Sequence, residues 1–130
     1  MHIYALPQEI EVWYIIPAIR KEMSRLLTLE HGLSYEKAGG LLGISKAAIS
    51  QYNKNKRAIN TRLNKIVLEE IGKSAVKIVE KKVTSVKEIL RILKFMREKR
   101  ISFEYCKGGK HNHEDCEEIT LAYEQYWDCK

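Results

Sequence analysis

The sequence is poor in the features that define several large protein classes, and each shortage narrows the reading. Two prolines and seven glycines in 130 residues are too few for a low-complexity or collagen-like chain. No apolar run approaches the roughly 20 residues that a membrane-spanning helix needs. The N-terminal stretch MHIYALPQEIEVW has neither a basic leader nor a small-residue cleavage site, which predicts a cytoplasmic location. Cysteine is scarce and odd in number, and Cys106, Cys116 and Cys129 all lie beyond residue 100. That pattern argues against a disulfide framework and for reduced thiols, metal binding or plain packing. Strict apolar–polar alternation between hairpin turns is also missing, so the fold class expected is all-α.

What is present is a soluble composition, 45% hydrophobic and 31% charged, with an uneven net charge of +6. Residues 101–130 hold seven acidic residues against three lysines, a net of −4, so residues 1–100 carry +10. A basic body favours a polyanionic partner and salt-sensitive binding through counterion release. A lysine-rich solvated surface is the alternative that charge alone leaves open.

Helical periodicity runs through most of the chain. The first helix is predicted from Pro7 or Gln8 to Glu30, with Ile10, Trp13, Ile16, Ile19, Met23, Leu26 and Leu27 on its apolar face. Pro17, lacking an N–H, predicts a kink or a fresh start within it. Gly32 suits a helix C-terminus. Ser34 caps a short helix ending near Leu42, and Ser45 caps another running to Asn53 or Lys54. A further helix fits Thr61 to Glu80, weakened by Gly72 to the point that two shorter helices are an alternative. Ser85-x-x-Glu88 matches a capping box ahead of a helix from Val86 to Lys99. Residues 101–114, with Gly108 and Gly109, read as an irregular loop, and a last short helix is predicted over Glu114 to Trp127. We expect residues 1–82 to form a helix-turn-helix domain of about five helices, and residues 83–130 a helical C-terminal extension for dimerisation or sensing.

The informative segment is GLSYEKAGGLLGISKAAISQYNKNKRA, residues 32–58. A helix-turn-helix needs two short helices crossing over a tight turn. Gly43 supplies the residue that tolerates positive φ. Gly39 supplies the small side chain where the helices touch. Leu42, Ile44 and Ile49 would close a miniature core, with Tyr52 one turn on. Lys46, Ala47, Ser50, Gln51 and Lys54 share the outer face of the second helix. Gln can bond adenine bidentately, Ala can meet a thymine methyl, and Lys can reach guanine or phosphate. Lys54, Lys56 and Arg57 follow where the chain would meet backbone phosphates. Ser34, Tyr35 and Ser45 complete the expected DNA-contact set. The alternative is an ordinary αα-hairpin with a basic surface.

This segment resembles a lambda-repressor-like (Xre-type) helix-turn-helix. With the preceding residues, EVWYIIPAIRKEMSRLLTLEHGLSYEKAGGLLGISKAAISQY is similar to a group of archaeal predicted transcriptional regulators, in which a helix with a "PAIR"-like start leads into the motif. The resemblance covers residues 8–58, under half the chain, and continues loosely through the next helix. It implies a five-helix DNA-binding domain, usually dimeric, that reads a promoter site with its third helix. Members of the group carry a Cys-x-x-Cys-like pair on the helix before a cysteine-rich end, whereas the corresponding EILRILKFMREKR contains no cysteine. Gly39 stands where such motifs usually have alanine.

The tail offers Cys106, His111, His113 and Cys116, thiolate and imidazole ligands of the kind that zinc or another transition metal prefers. No Cys-x-x-Cys knuckle accompanies them, and solvated histidines beside semi-buried thiols are the favoured reading. A redox role for Cys106, Cys116 or Cys129 is a further alternative. Gly72-Lys73-Ser74 is not a phosphate-binding loop, because Val67 replaces its first glycine and the segment is helical. The contiguous His111-Asn112-His113 is not the dispersed constellation of a nuclease. Without a nucleophile–base pair or a glycine-rich cofactor loop, no enzymatic activity is expected. The function expected is sequence-specific binding of double-stranded DNA by a homodimeric transcriptional regulator, with the faces of residues 63–79 and 86–96 as the candidate dimer surface. The competing reading is an antitoxin-like or partner-docking module that keeps a helix-turn-helix, a protein partner or effector engaging its C-terminal half.

Overall fold

The computed structural model describes residues 6–58, 60–106 and 116–120. Helix α1 spans residues 7–30 and opens at Pro7, whose missing N–H costs nothing in a first turn. The Leu6 N–H there donates to Glu9 Oε1 at 3.0 Å. The turn Glu11–Ile15 is widened to the π spacing, with the Ile16 N–H reaching back to the Glu11 carbonyl. Pro17 follows at once. Its ring crowds the carbonyl one turn earlier, and a widened turn relieves that crowding, so the backbone stays helical through Ile15 and Ile16 instead of starting afresh. A second widened turn, Leu26–Glu30, ends the helix, and Gly32 (φ +68°) turns the chain away.

Helices α2 (Tyr35–Leu42) and α3 (Lys46–Asn53) follow, then α4 (Lys65–Val79) and α5 (Ser85–Glu98). Gly72 does not divide α4. The predicted capping box of Ser85 and Glu88 does not form, and the helix starts one residue earlier than expected. Thr84 is the cap, its Oγ1 accepting the Lys87 N–H at 3.3 Å. Glu88 turns inward, where its carboxylate accepts from Ser74 Oγ at 2.6 Å and from Arg91 Nε at 3.2 Å. Arg91 also bonds Glu70 at 2.8 Å, so α4 and α5 are tied by a charged network as well as by apolar contacts. Hydrogen bonds from Lys73 and Arg91 hold the Glu70 carboxyl below its ordinary pKa.

The expected all-α class is wrong. Three strands, β1 (Thr61–Arg62), β2 (Ser102–Cys106) and β3 (Cys116–Thr120), form an antiparallel sheet in the order β1-β2-β3, making the fold mixed α/β. Thr61 pairs with Tyr105 and Arg62 with Glu104, while Ser102 through Cys106 pair with Thr120 back to Cys116. Three local expectations fall with it. The helix predicted from Thr61 starts at Lys65, the predicted loop contains β2, and the predicted last helix is β3 over Cys116–Thr120; the remainder of that prediction lies outside the described residues. The physical reason is that Cys-Glu-Glu-Ile-Thr has helix-favouring glutamates and no alternation, so only pairing with a distant strand makes it extended.

One apolar core runs from Ile10 on α1 to Phe103 on β2, with residues on both sides of position 82. It contains Ile19, Met23 and Leu27 of α1, Ile49 of α3, Ile71 and Ile78 of α4, and Ile92 and Met96 of α5. Tyr14 joins sheet to helix, its ring centroid 4.8 Å from Tyr105 and 6.3 Å from Phe103. Burial, and secondarily the neighbouring Tyr105, pushes the Tyr14 hydroxyl pKa up. Among the described residues, no helix is long and apolar enough to cross a membrane.

Candidate nucleic-acid interface

The α2–turn–α3 segment is built by local chemistry. Ser34 Oγ accepts the Lys37 N–H at 3.1 Å, and Ser45 Oγ accepts the Ala48 N–H at 3.0 Å. Each hydroxyl satisfies an N–H that its helix cannot. Gly43 ends α2 in the left-handed region at φ +69°, and the Ile44 N–H returns to the Gly39 carbonyl at 3.0 Å. A Cβ at Gly39 would lie 2.7 Å from the Ile44 carbonyl oxygen, so this closeness of backbone to backbone requires glycine. Ala38, Leu42, Ala48, Ile49 and Tyr52 are buried behind the turn, and Ile44 packs partly against them.

Burying that side of α3 leaves the opposite face outward. Lys46, Ala47 and Lys54 are exposed, and Ser50 and Gln51 are partly exposed. Ser34 and Ser45 are exposed at the two helix starts, while Tyr35 is half-buried against the core. Beyond α3 the chain makes a tight turn, with Asn55 and Ala58 both at φ +56°. The Lys56 N–H donates to the Gln51 carbonyl at 2.8 Å, which fixes the start of the basic arm against the end of α3. Lys56 and Arg57 are exposed, and the Arg57 guanidinium sits 5.8 Å from the Tyr52 ring centroid, at cation–π distance. All ten predicted contact residues thus lie on the two helix starts, the outer face of α3 and the turn that follows it.

Two supports escaped sequence reasoning. Asn53 Nδ2 donates to Thr28 Oγ1 at 2.9 Å, and Thr28 passes the bond to the Ser24 carbonyl at 2.8 Å, so α3 is pinned to α1 by a polar relay. The Asn60 carbonyl accepts the Cys106 N–H at 2.7 Å, tying the basic arm to the sheet. Polar residues three or four apart on α1 were the available signal for the first; nothing local signals the second. The faces of residues 63–79 and 86–96 largely pack on each other and on the core, burying Ile71, Ala75, Ile78, Ile89, Ile92, Leu93 and Met96. They leave Ile66, Leu68, Val76, Val86 and Leu90 exposed, with Val12 and Trp13 of α1 exposed as well.

In the tail, Cys106 and Cys116 are directly opposed on the β2–β3 ladder, 4.0 Å apart at Cα, and form a disulfide. The expectation of reduced thiols is corrected for this pair, since strand register and not sequence spacing brings the sulfurs together. His111, His113 and Cys129 lie outside the described residues. No known protein family, curated protein or solved structure matches the chain.

Proposed function

We propose that the chain is a sequence-specific, double-stranded-DNA-binding transcriptional regulator acting as a homodimer, as the lambda-repressor-like resemblance of residues 8–58 implies. The observation that carries the reading is the outward face of α3, with Lys46, Ala47, Ser50, Gln51 and Lys54 together and the basic arm Lys56–Arg57 directly after it. Side chains of these types can read base edges from a helix in the major groove, and the arm can neutralise phosphates. A body charge of +10 supports the same partner. One reading helix covers a short half-site, so two copies on a two-fold axis would match a palindrome with half-sites about 34 Å apart or a multiple of that.

Selection of bound sites from random duplex DNA at two salt concentrations tests this. A palindrome should emerge, and its affinity should fall with salt. Gln51→Ala should relax base preference at one position by about 1–3 kcal/mol. Lys56→Ala should weaken all sequences alike and flatten the salt slope by about one phosphate contact. Unchanged affinity and preference in Gln51→Ala would remove α3 as the reading helix. Recovery of no preferred sequence, with a second protein co-purifying, would favour the partner-docking reading instead.

A further inference from the structure

Side chains alternate across a strand, so Ser102, Glu104 and Cys106 share one face of β2. Antiparallel pairing sets Thr120, Glu118 and Cys116 opposite them. The other face carries Phe103, buried in the core, and Tyr105 against Tyr14. The first face therefore stacks a sulfur row, Cys106/Cys116, next to a carboxylate row, Glu104/Glu118. A carboxylate oxygen of Glu104 and the two sulfurs all lie within 4.8 Å of one another. The two carboxylates are differently placed. Glu118 is occupied, accepting from Ser102 Oγ at 2.6 Å. Glu104 Oε2 is buried with no hydrogen-bond donor, and Arg62 Nη1 comes only to 3.7 Å. A buried carboxylate oxygen without a hydrogen bond and two directly opposed glutamates are both unfavourable; Arg62 answers them only in part from 3.7 Å, and a cation bound directly to Glu104 would answer both.

We propose that Cys106, Cys116 and Glu104 form a binding site for a thiophilic divalent cation of the zinc class once the disulfide is reduced. Disulfide and metal-bound dithiolate are then alternative states of one sulfur pair. An external dithiol reductant supplies two electrons and two protons, the S–S bond becomes two S–H groups, and the reductant leaves as its own disulfide. Cation binding then releases both thiol protons to solvent and forms two metal–sulfur bonds and one metal–oxygen bond. The sulfurs must separate to about 3.8 Å to take tetrahedral zinc–thiolate geometry, which cross-strand neighbours reach by side-chain rotation. Two thiolates select zinc over magnesium or calcium, whose preferred ligands are oxygens. Three protein ligands leave the fourth position to water or a further donor.

Cobalt(II) titration of the full chain, reduced with a phosphine and kept anaerobic, tests the site. One equivalent should give thiolate-to-cobalt charge-transfer absorption in the near ultraviolet, and zinc(II) should abolish it by displacement. The oxidised chain should give none. Cys106→Ser and Cys116→Ser should each lose the absorption. Glu104→Gln should weaken binding about tenfold or more with the absorption retained, and Glu118→Gln and Cys129→Ser should bind as the parent does. Circular dichroism confirms that each variant is folded, and Glu104→Gln, which leaves both cysteines in place, keeps the test decisive if a serine variant is not. Absence of the band in the reduced chain, its persistence in Cys106→Ser, its loss in Cys129→Ser, or unaltered affinity in Glu104→Gln would each overturn the assignment.

Discussion

The α2–α3 pair and the three-stranded sheet solve the same problem, holding short elements in place, by opposite means. Within residues 34–54 most devices are local: two serine caps, one left-handed glycine, and a backbone contact between Gly39 and Ile44, with the Asn53–Thr28 bond to α1 as the long-range exception. The sheet has no such devices. Its β1 is two residues long, and its register pairs Thr61 with Tyr105. What holds it is Phe103 in the common core, the tyrosine pair beneath it and the Cys106–Cys116 bond. A motif built locally can be read locally, whereas one built by distant pairing depends on the rest of the fold.

That contrast yields its largest test at Phe103. If the sheet were a loose appendage, truncating this side chain would leave the helices untouched. Because Phe103 is 1% exposed inside the shared core, Phe103→Ala should instead destabilise the whole chain by about 3–5 kcal/mol. Urea unfolding followed by helical circular dichroism measures it, and an unchanged midpoint would separate sheet from helices. The next test is a pair of adjacent glycines. Gly39→Ala places a Cβ 2.7 Å from a carbonyl oxygen that cannot rotate away. It should cost about 1–3 kcal/mol even after the helix-propensity gain. Gly40→Ala meets nothing within 4 Å and should stabilise by up to about 1 kcal/mol. Equal effects at the two positions would mean that helix propensity, not close approach, sets the residue choice at Gly39.

Legibility followed the same division. The boundaries of α1, the caps Ser34 and Ser45, the turn at Gly43 and the outer face of α3 were all predictable, because each rests on a residue's own conformational preference or on three-to-four-residue spacing. The strands were not. Ile101, Phe103 and Tyr105 do alternate with Ser102 and Glu104, but the run is short and its partners lie far off in sequence. Residues Cys116–Thr120 carry two glutamates that favour helix, and only the ladder to β2 overrides them. The missed disulfide is the same error at another scale. Cysteine counting gave no pairing, whereas strand register sets Cys106 opposite Cys116. Glu88 departs from its local pattern for a subtler reason. Its spacing from Ser85 suits a capping box, but Ser74 and Arg91 offer it a buried hydrogen-bonded site that no local pattern reveals.

Smaller effects sharpen the comparison on the helical side. Ser45 Oγ satisfies the Ala48 N–H at the start of α3, so Ser45→Ala should cost about 1 kcal/mol. The loss should be felt first as faster amide exchange in residues 45–49. A uniform rise in exchange across α4 and α5 instead would show that the motif has no local stability of its own.

The smallest effect belongs to the sheet's edge. Arg62 and Glu104 are cross-strand partners with a nitrogen–oxygen distance of 3.7 Å, and their side chains are 53% and 39% exposed. Although Glu104 Oε2 itself is buried, solvent reaches the guanidinium and the rest of the glutamate and screens the pair, and ordering two long side chains offsets part of the attraction. A double-mutant cycle with Arg62→Ala and Glu104→Gln should therefore give a coupling of about 0.2–1 kcal/mol. The coupling should shrink further as salt is raised toward 1 M. A larger, salt-independent value would mean that β1 is held electrostatically, and would weaken the argument that the sheet owes its position to Phe103 and the core. A value near zero would place the attachment of β1 in its backbone hydrogen bonds to β2, beside which the Asn60–Cys106 bond at 2.7 Å lies just before the strand, toward the basic arm.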